Sequence, residues 1–184
     1  LYQPGEEVRF SYSLEYPDKS KDESDWSYWV ENIRIGKTLA GFRMEEIFSF
    51  HDDDRYTGDE KEIQKDGVLT SPHTSIAFQV TCRNNRPELI SMSIGDIRLC
   101  FMRDMAVYDL QEVRGFHILS GEEMHDERGM FDIPPGKQIT VELLYILPDP
   151  SVKENAVLMR VNLAGRGEYL RQAGYSIPYV VLKE

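Results

Sequence analysis

The stretch Ile133-Pro134-Pro135-Gly136-Lys137-Gln138-Ile139-Thr140-Val141-Glu142-Leu143-Leu144-Tyr145-Ile146-Leu147-Pro148 joins a tight turn to a long alternating run. Pro134 to Lys137 has turn chemistry: proline presets φ and glycine accepts conformations that other residues avoid. After it, Ile139, Val141, Leu143, Tyr145 and Leu147 fall on one side of an extended chain, and Thr140, Glu142 and Leu144 on the other. A period of two places alternate side chains on one face, so this spacing predicts a strand of a half-buried sheet. A short polar break follows, and Ala156 to Leu163 supplies a second strand.

The pattern repeats upstream. Val8, Phe10, Tyr12, Leu14 and Tyr16 alternate with Arg9, Ser11, Ser13 and Glu15, giving a strand that Pro17 ends. Asp18 to Asp25 is polar and charged and is expected to be a solvated loop. Trp26, Tyr28 and Val30 are in phase, whereas Ile33 and Ile35 take the opposite phase. This predicts a strand with a bulge near Glu31-Asn32. Met44 to Phe50 suits either a strand or one helical turn, and residues 51–67 form a long hydrophilic loop.

Further strands are expected at Thr74 to Cys82, Leu89 to Met92, Asp96 to Met102, Ala106 to Leu110 and Phe116 to Leu119. Gly121 to Gly129 is a polar loop, and Gly165 to Ala173 suits a short helix. Tyr175 to Leu182 reads as an edge strand because it contains Pro178. Roughly nine or ten short strands with regular turn signals predict an all-β sandwich. One domain over residues 1–184 is expected, with 1–75 as an N-terminal extension or extra strands and 76–184 as the core.

Composition narrows the function. The chain has 184 residues, 41% of them hydrophobic, and a net charge of -11. Without clustered Lys and Arg, nucleic acid is not an expected partner, and an anionic membrane surface would repel it. No run of about 18 apolar residues is present, so direct membrane insertion of this segment is not expected. The chain opens on Leu1 rather than Met, and the expectation is that a signal or anchoring segment precedes it. Cys82 falls in phase with Ile76, Phe78 and Val80. Cys100 falls out of phase with Ile97, Leu99 and Phe101. Opposite faces predict two free thiols.

Phe78-Gln79-Val80-Thr81, Asn84-Asn85 and Ile97-Arg98-Leu99 are followed by Ile133-Pro134-Pro135-Gly136-Lys137 and Val141 to Pro148. On these residues the chain from about Ile76 to Leu163 resembles a family of immunoglobulin-like domains of unknown function in secreted and lipid-anchored proteins of Gram-positive bacteria. The resemblance implies an immunoglobulin-like β-sandwich with additional N-terminal strands, placed outside the cell membrane. It implies no catalytic residue, cofactor or metal ligand.

Several chemical constellations are considered on the residues alone. Asp52, Asp53, Asp54, Asp59 and Glu60 offer oxygen ligands of the kind calcium takes, but Tyr56 breaks the EF-hand pattern, and a solvated loop is the expectation. His51, His73, His117 and His125 are scattered without ligand spacing, and Glu122-Glu123-Met124-His125-Asp126-Glu127 is read as a charged turn rather than a metal site. Acid pairs such as Asp52 with Glu122 or Asp126 are too generic to mark a glycosidase. Neither a Gly-x-Ser-x-Gly nor a Gly-rich phosphate loop occurs.

The aromatic group Trp26, Tyr28 and Trp29 is the candidate ligand contact. Trp26 and Tyr28 share one strand face and Trp29 takes the other, so one aromatic face is expected outside, where rings stack on sugars or anchor proteins. Tyr169, Tyr175 and Tyr179 are ambiguous in the same way. The expectation is a non-enzymatic extracellular or cell-surface module that binds a protein or glycan or acts as a spacer. A carbohydrate-binding module using the exposed aromatics and a small secreted hydrolase using loop carboxylates stand as alternatives.

Overall fold

The computed structural model describes residues 1–16, 19–47, 63–64, 66–70, 72–104, 106–110, 113–124, 129–161 and 167–184. The predicted calcium-type loop (Asp52–54, Asp59, Glu60), His51 and the segment around His125 lie outside these residues.

The chain is an all-β sandwich of antiparallel sheets. One sheet has the order β1 (Val8–Glu15), β2 (Lys21–Gly36), β3 (His73–Asn84), β9 (Gln138–Pro148) and β7 (Gly115–Ser120). The other runs β11 (Val180–Lys183), β10 (Ala156–Val161), β5 (Ile97–Arg103) and β6 (Ala106–Leu110). A ribbon of β4 (Ile90–Ser93) and β8 (Met130–Ile133) adds a third, two-stranded sheet. Helical structure is brief: α1 (Asp149–Glu154), α2 (Gly167–Gln172) and single 3₁₀ turns such as Met44–Glu46.

Alternation places the core. The inward residues of β1, Val8, Phe10, Tyr12 and Leu14, are buried, while the residues between them are exposed. On β3 and β9, Ile76, Phe78 and Val80 join Ile139, Val141, Leu143, Tyr145 and Leu147 in the same cluster. Leu99, Phe101, Val157, Met159 and Val180 enter it from the opposing sheet. The sheets are also tied by polar bonds: the Tyr145 hydroxyl on β9 donates to the Ile97 carbonyl on β5 at 3.0 Å. Tyr145 lies parallel to Phe78 with ring centroids 5.7 Å apart. The Tyr28 hydroxyl donates to the Pro178 carbonyl at 3.1 Å.

Three expectations are corrected. Residues 21–25, expected in a loop, extend β2 and pair with β1 from Lys21 opposite Glu15 to Asp25 opposite Ser11. Local polarity misleads here because both faces carry polar side chains, Ser24 among them buried, while the backbone completes a hairpin. Strand β9 is covered on both faces rather than one: Leu144 and Ile146, on its outward side, are buried against Leu39, Phe42, Leu69 and Ala77. At the C-terminus the strand is confined to Val180–Lys183, later than the expected start at Tyr175. The phase change of β2 is where the sequence puts it. The register slips between Glu31 and Arg34, with Asn32 at φ 53°.

The first 36 residues are not peripheral. β1 pairs β2 and β2 pairs β3, so the N-terminal strands continue the sheet that holds β9. Neither cysteine forms a disulfide and both are buried, Cys82 in the main core and Cys100 on the far side of its sheet with Leu158 and Val181.

Candidate functional site

Ladder register brings sequence-distant residues into rows across the outer face of the five-stranded sheet. In one row Trp29, Thr81, Thr140 and Ser120 lie side by side on β2, β3, β9 and β7. In the next, Glu31, Gln79, Glu142 and His117 do the same. Beyond the bulge, Arg34, Ala77, Leu144 and Gly115 make a third row.

The predicted aromatic group is split by this geometry. Trp26 and Tyr28 point into the core, are buried and stack on each other at 5.0 Å between centroids. Their predicted role as direct ligand contacts is therefore corrected: a strand facing a second sheet spends its in-phase aromatics on packing. Trp29 lies on the outer face and is half-buried. The Arg83 guanidinium stands 5.8 Å from the Trp29 ring centroid, held by a bond from its Nε to Asn85 Oδ1 and an ion pair to Glu7. Thr81 and Thr140 share a hydroxyl hydrogen bond of 2.9 Å beside it. Of the tyrosines, Tyr175 binds the backbone of edge strand β1, its hydroxyl accepting from Ser13 N–H and donating to Ser13 C=O. Tyr179 is half-buried against the Cys100 cluster; the Tyr169 side chain lies outside the described set.

The second row carries the densest polar network. Arg34 Nη2 reaches Glu142 Oε1 at 2.6 Å, and Gln79 Nε2 donates to the same oxygen at 3.2 Å. Glu142 Oε2 faces His117 Nδ1 at 3.4 Å. On the other side of the ring, His117 Nε2 meets Glu46 Oε2 at 3.1 Å. Phe42 stacks on the imidazole, with centroids 4.0 Å apart and planes within 10°. Glu46 also accepts the Arg43 backbone N–H at 2.7 Å and the Arg43 guanidinium at 2.8 Å. These bonds, the backbone donor first, pull the Glu46 carboxyl down to about 2.

Glu46 and Phe42 belong to a segment that straps the outer face. Leu39, Phe42 and Leu69 pack on Ala77, Leu144 and Ile146. Ser75 Oγ donates to the Thr38 carbonyl at 2.5 Å. At the strap's start Lys37 pairs with Asp149, whose carboxylate also accepts from Thr74 Oγ1 at 2.5 Å. Lys37 first, then Thr74, hold the Asp149 carboxyl at about 2. Two open grooves mark the surface, the first beside the strap and the second at the β1–β2 edge. One, of about 340 Å³, is lined by Arg34, Ile35, Thr38 and Ser75. The other, of about 510 Å³, runs beside Tyr12, Asp25, Arg86 and Tyr175.

His117, Glu142, Glu46 and Arg34 are not singled out by their sequence spacing, because 108 positions separate Arg34 from Glu142 and only the strand register closes that gap. The one available signal is that Glu142 alone among the residues of β9 is charged. Among the described residues no group of three or more His, Cys, Asp or Glu could hold a metal ion. Among them, too, no helix is long and apolar enough to cross a membrane.

No protein-family model matches the chain, and no curated protein matches it by sequence. Among solved structures it is similar to the yjhA protein from Bacillus subtilis, at 13% identity and a TM-score of 0.52 over 98% of this chain and 99% of that one. It is also similar to an uncharacterized beta-sandwich protein from Clostridium difficile 630, at 10% identity and a TM-score of 0.40 over 94% and 90% of the two chains. A functionally unknown protein from Listeria monocytogenes EGD-e is a third, at 12% identity and a TM-score of 0.46 over 100% and 89%. Likeness at such identities speaks to fold alone: the chain, an all-β sandwich by its own sheets, is similar in fold to the yjhA protein from Bacillus subtilis.

Proposed function

We propose that this protein is a non-catalytic, extracellular or cell-surface binding module of immunoglobulin-like type, and that its ligand surface is the outer face of the five-stranded sheet around Trp29. The observation that carries this reading is the division of the aromatics: Trp26 and Tyr28 are consumed by the core, while Trp29 stays partly accessible on a sheet face. Around the indole stand Arg83 and the Thr81–Thr140 pair, donors and acceptors suited to hydroxyl or carboxylate groups. An indole with such polar neighbours favours a glycan, whose C–H face stacks on the ring while its hydroxyls bond at the sides. Placement outside the membrane rests on the family resemblance of the segment from Ile76 to Leu163.

A glycan array probed with the wild-type chain and with Trp29→Ala tests this reading. Expected are binders that lose at least tenfold in affinity in the variant. An array without binders, or equal binding by the variant, overturns it.

A further inference from the structure

We infer that His117 is a proton-operated latch that fastens the Leu39–Ile47 strap to the outer face of the five-stranded sheet. This does not rest on the glycan reading. The imidazole is held between two carboxylates that belong to different parts of the fold: Glu142 on β9, part of the sheet, and Glu46 on the strap. The two nitrogens face one carboxylate each, and Phe42, also from the strap, fixes the ring plane.

The donor count sets the direction. A neutral imidazole has one N–H and one lone pair. With the proton on Nε2 it donates to Glu46 at 3.1 Å, and its Nδ1 lone pair then confronts Glu142 Oε2 at 3.4 Å, two acceptors face to face. A second proton turns that contact into a charge-assisted bond, so imidazolium joins strap and sheet through both nitrogens. The other oxygens of the carboxylates are already engaged, Glu142 Oε1 by Arg34 and Gln79, and Glu46 Oε1 by Arg43.

The charged groups around the ring, element by element, are Glu142 on β9, Arg34 on β2, and Glu46, Glu45 and Arg43 on the strap, Arg43 also pairing with Glu45 at 3.1 Å. Gln79 on β3 is neutral. Imidazoles as a class change charge between about pH 5 and 8. Protonation of the ring therefore closes the latch and loss of that proton slackens it, because only the protonated ring bonds both carboxylates. Slackening would loosen the strap without releasing it, since Leu39 and Phe42 remain packed with Ala77, Leu144 and Ile146.

Amide hydrogen exchange of Phe42, Glu46 and Ile47 reads the strap directly, since each N–H bonds within it, to Leu39, Arg43 and Met44 carbonyls. After correction for intrinsic exchange rates, protection in the wild-type chain should be about two- to fivefold greater at pH 5.5 than at pH 8, the worth of one partly exposed ion pair. In His117→Gln the ratio should fall to one, and in Glu46→Gln it should shrink in the same way, which gives a second reading should either variant fold poorly. A wild-type ratio of one, or a ratio that survives in the folded variants, overturns the latch.

Discussion

Removing one oxygen atom tests whether the two sheets are joined through a buried polar bond. Tyr145→Phe keeps the ring against Phe78 and deletes only the hydroxyl that donates to the Ile97 carbonyl. Tyr145 is fully buried, so water does not replace the lost donor. A typical intramolecular hydrogen bond contributes about 1 kcal/mol net, and an orphaned buried acceptor costs about 1–3 kcal/mol. The expected loss is therefore about 1–2 kcal/mol. With a urea m-value of about 2 kcal/mol/M, the unfolding midpoint falls by about 0.5–1 M at unchanged m. The thermal midpoint should drop by about 2–8 °C, at about 2–4 °C per kcal/mol for a domain of this size. Tryptophan fluorescence follows the transition, because Trp26 is buried in the core. Tyr108→Phe, on the exposed edge strand β6, serves as the control and should lie within about 0.5 kcal/mol of wild type. A midpoint shift below about 0.2 M for Tyr145→Phe, or one equal to the Tyr108→Phe shift, would refute the bridging role of that bond.

Two further outcomes are expected. A Cβ at Gly115 would stand 3.1 Å from the Glu46 carbonyl oxygen and 3.2 Å from the Phe42 ring, so Gly115→Ala should cost about 1 kcal/mol and speed exchange at Phe42 and Ile47. Unaltered exchange there would mean that the strap does not bear on β7. Stability should also depend on pH at both extremes. Burial pushes the Cys82 thiol up to about 12 and the Tyr28 and Tyr145 phenols well above their ordinary range. Raised folded values give stability that is complete below the unfolded pKa, near 9, and lost as pH climbs toward 12. The lowered carboxyls of Glu46 and Asp149 act in the opposite sense: their contribution is present above about pH 4.5 and disappears as pH falls toward 2. Urea midpoints that stay level from pH 7 to 11 would contradict the alkaline limb.

Much of the architecture is legible in the chain because a period of two is a local property. The inward set of β9, the run of β1 and the slip in β2 each follow from side-chain order within one strand. The hairpin return at residues 21–25 is not legible, since polar side chains on both faces hide an extended backbone whose ladder bonds go to a partner elsewhere. The covered outer face of β9 escapes for the same reason: Leu144 and Ile146 look like solvent-side residues until Leu39, Phe42 and Leu69 are known to lie over them. Candidate contacts fared unevenly. Alternation separates Trp29 from Trp26 and Tyr28, but which side faces water depends on where the second sheet packs.

What the sequence by itself determined is the alternating strands, their turns, the opposite facing of Cys82 and Cys100, and a net charge of -11. What only the tertiary structure decided is the order of strands and the rows they create. A row such as Gln79, Glu142 and His117 exists because hydrogen-bonded ladders fix register between segments dozens of residues apart, and no spacing along one chain encodes that alignment.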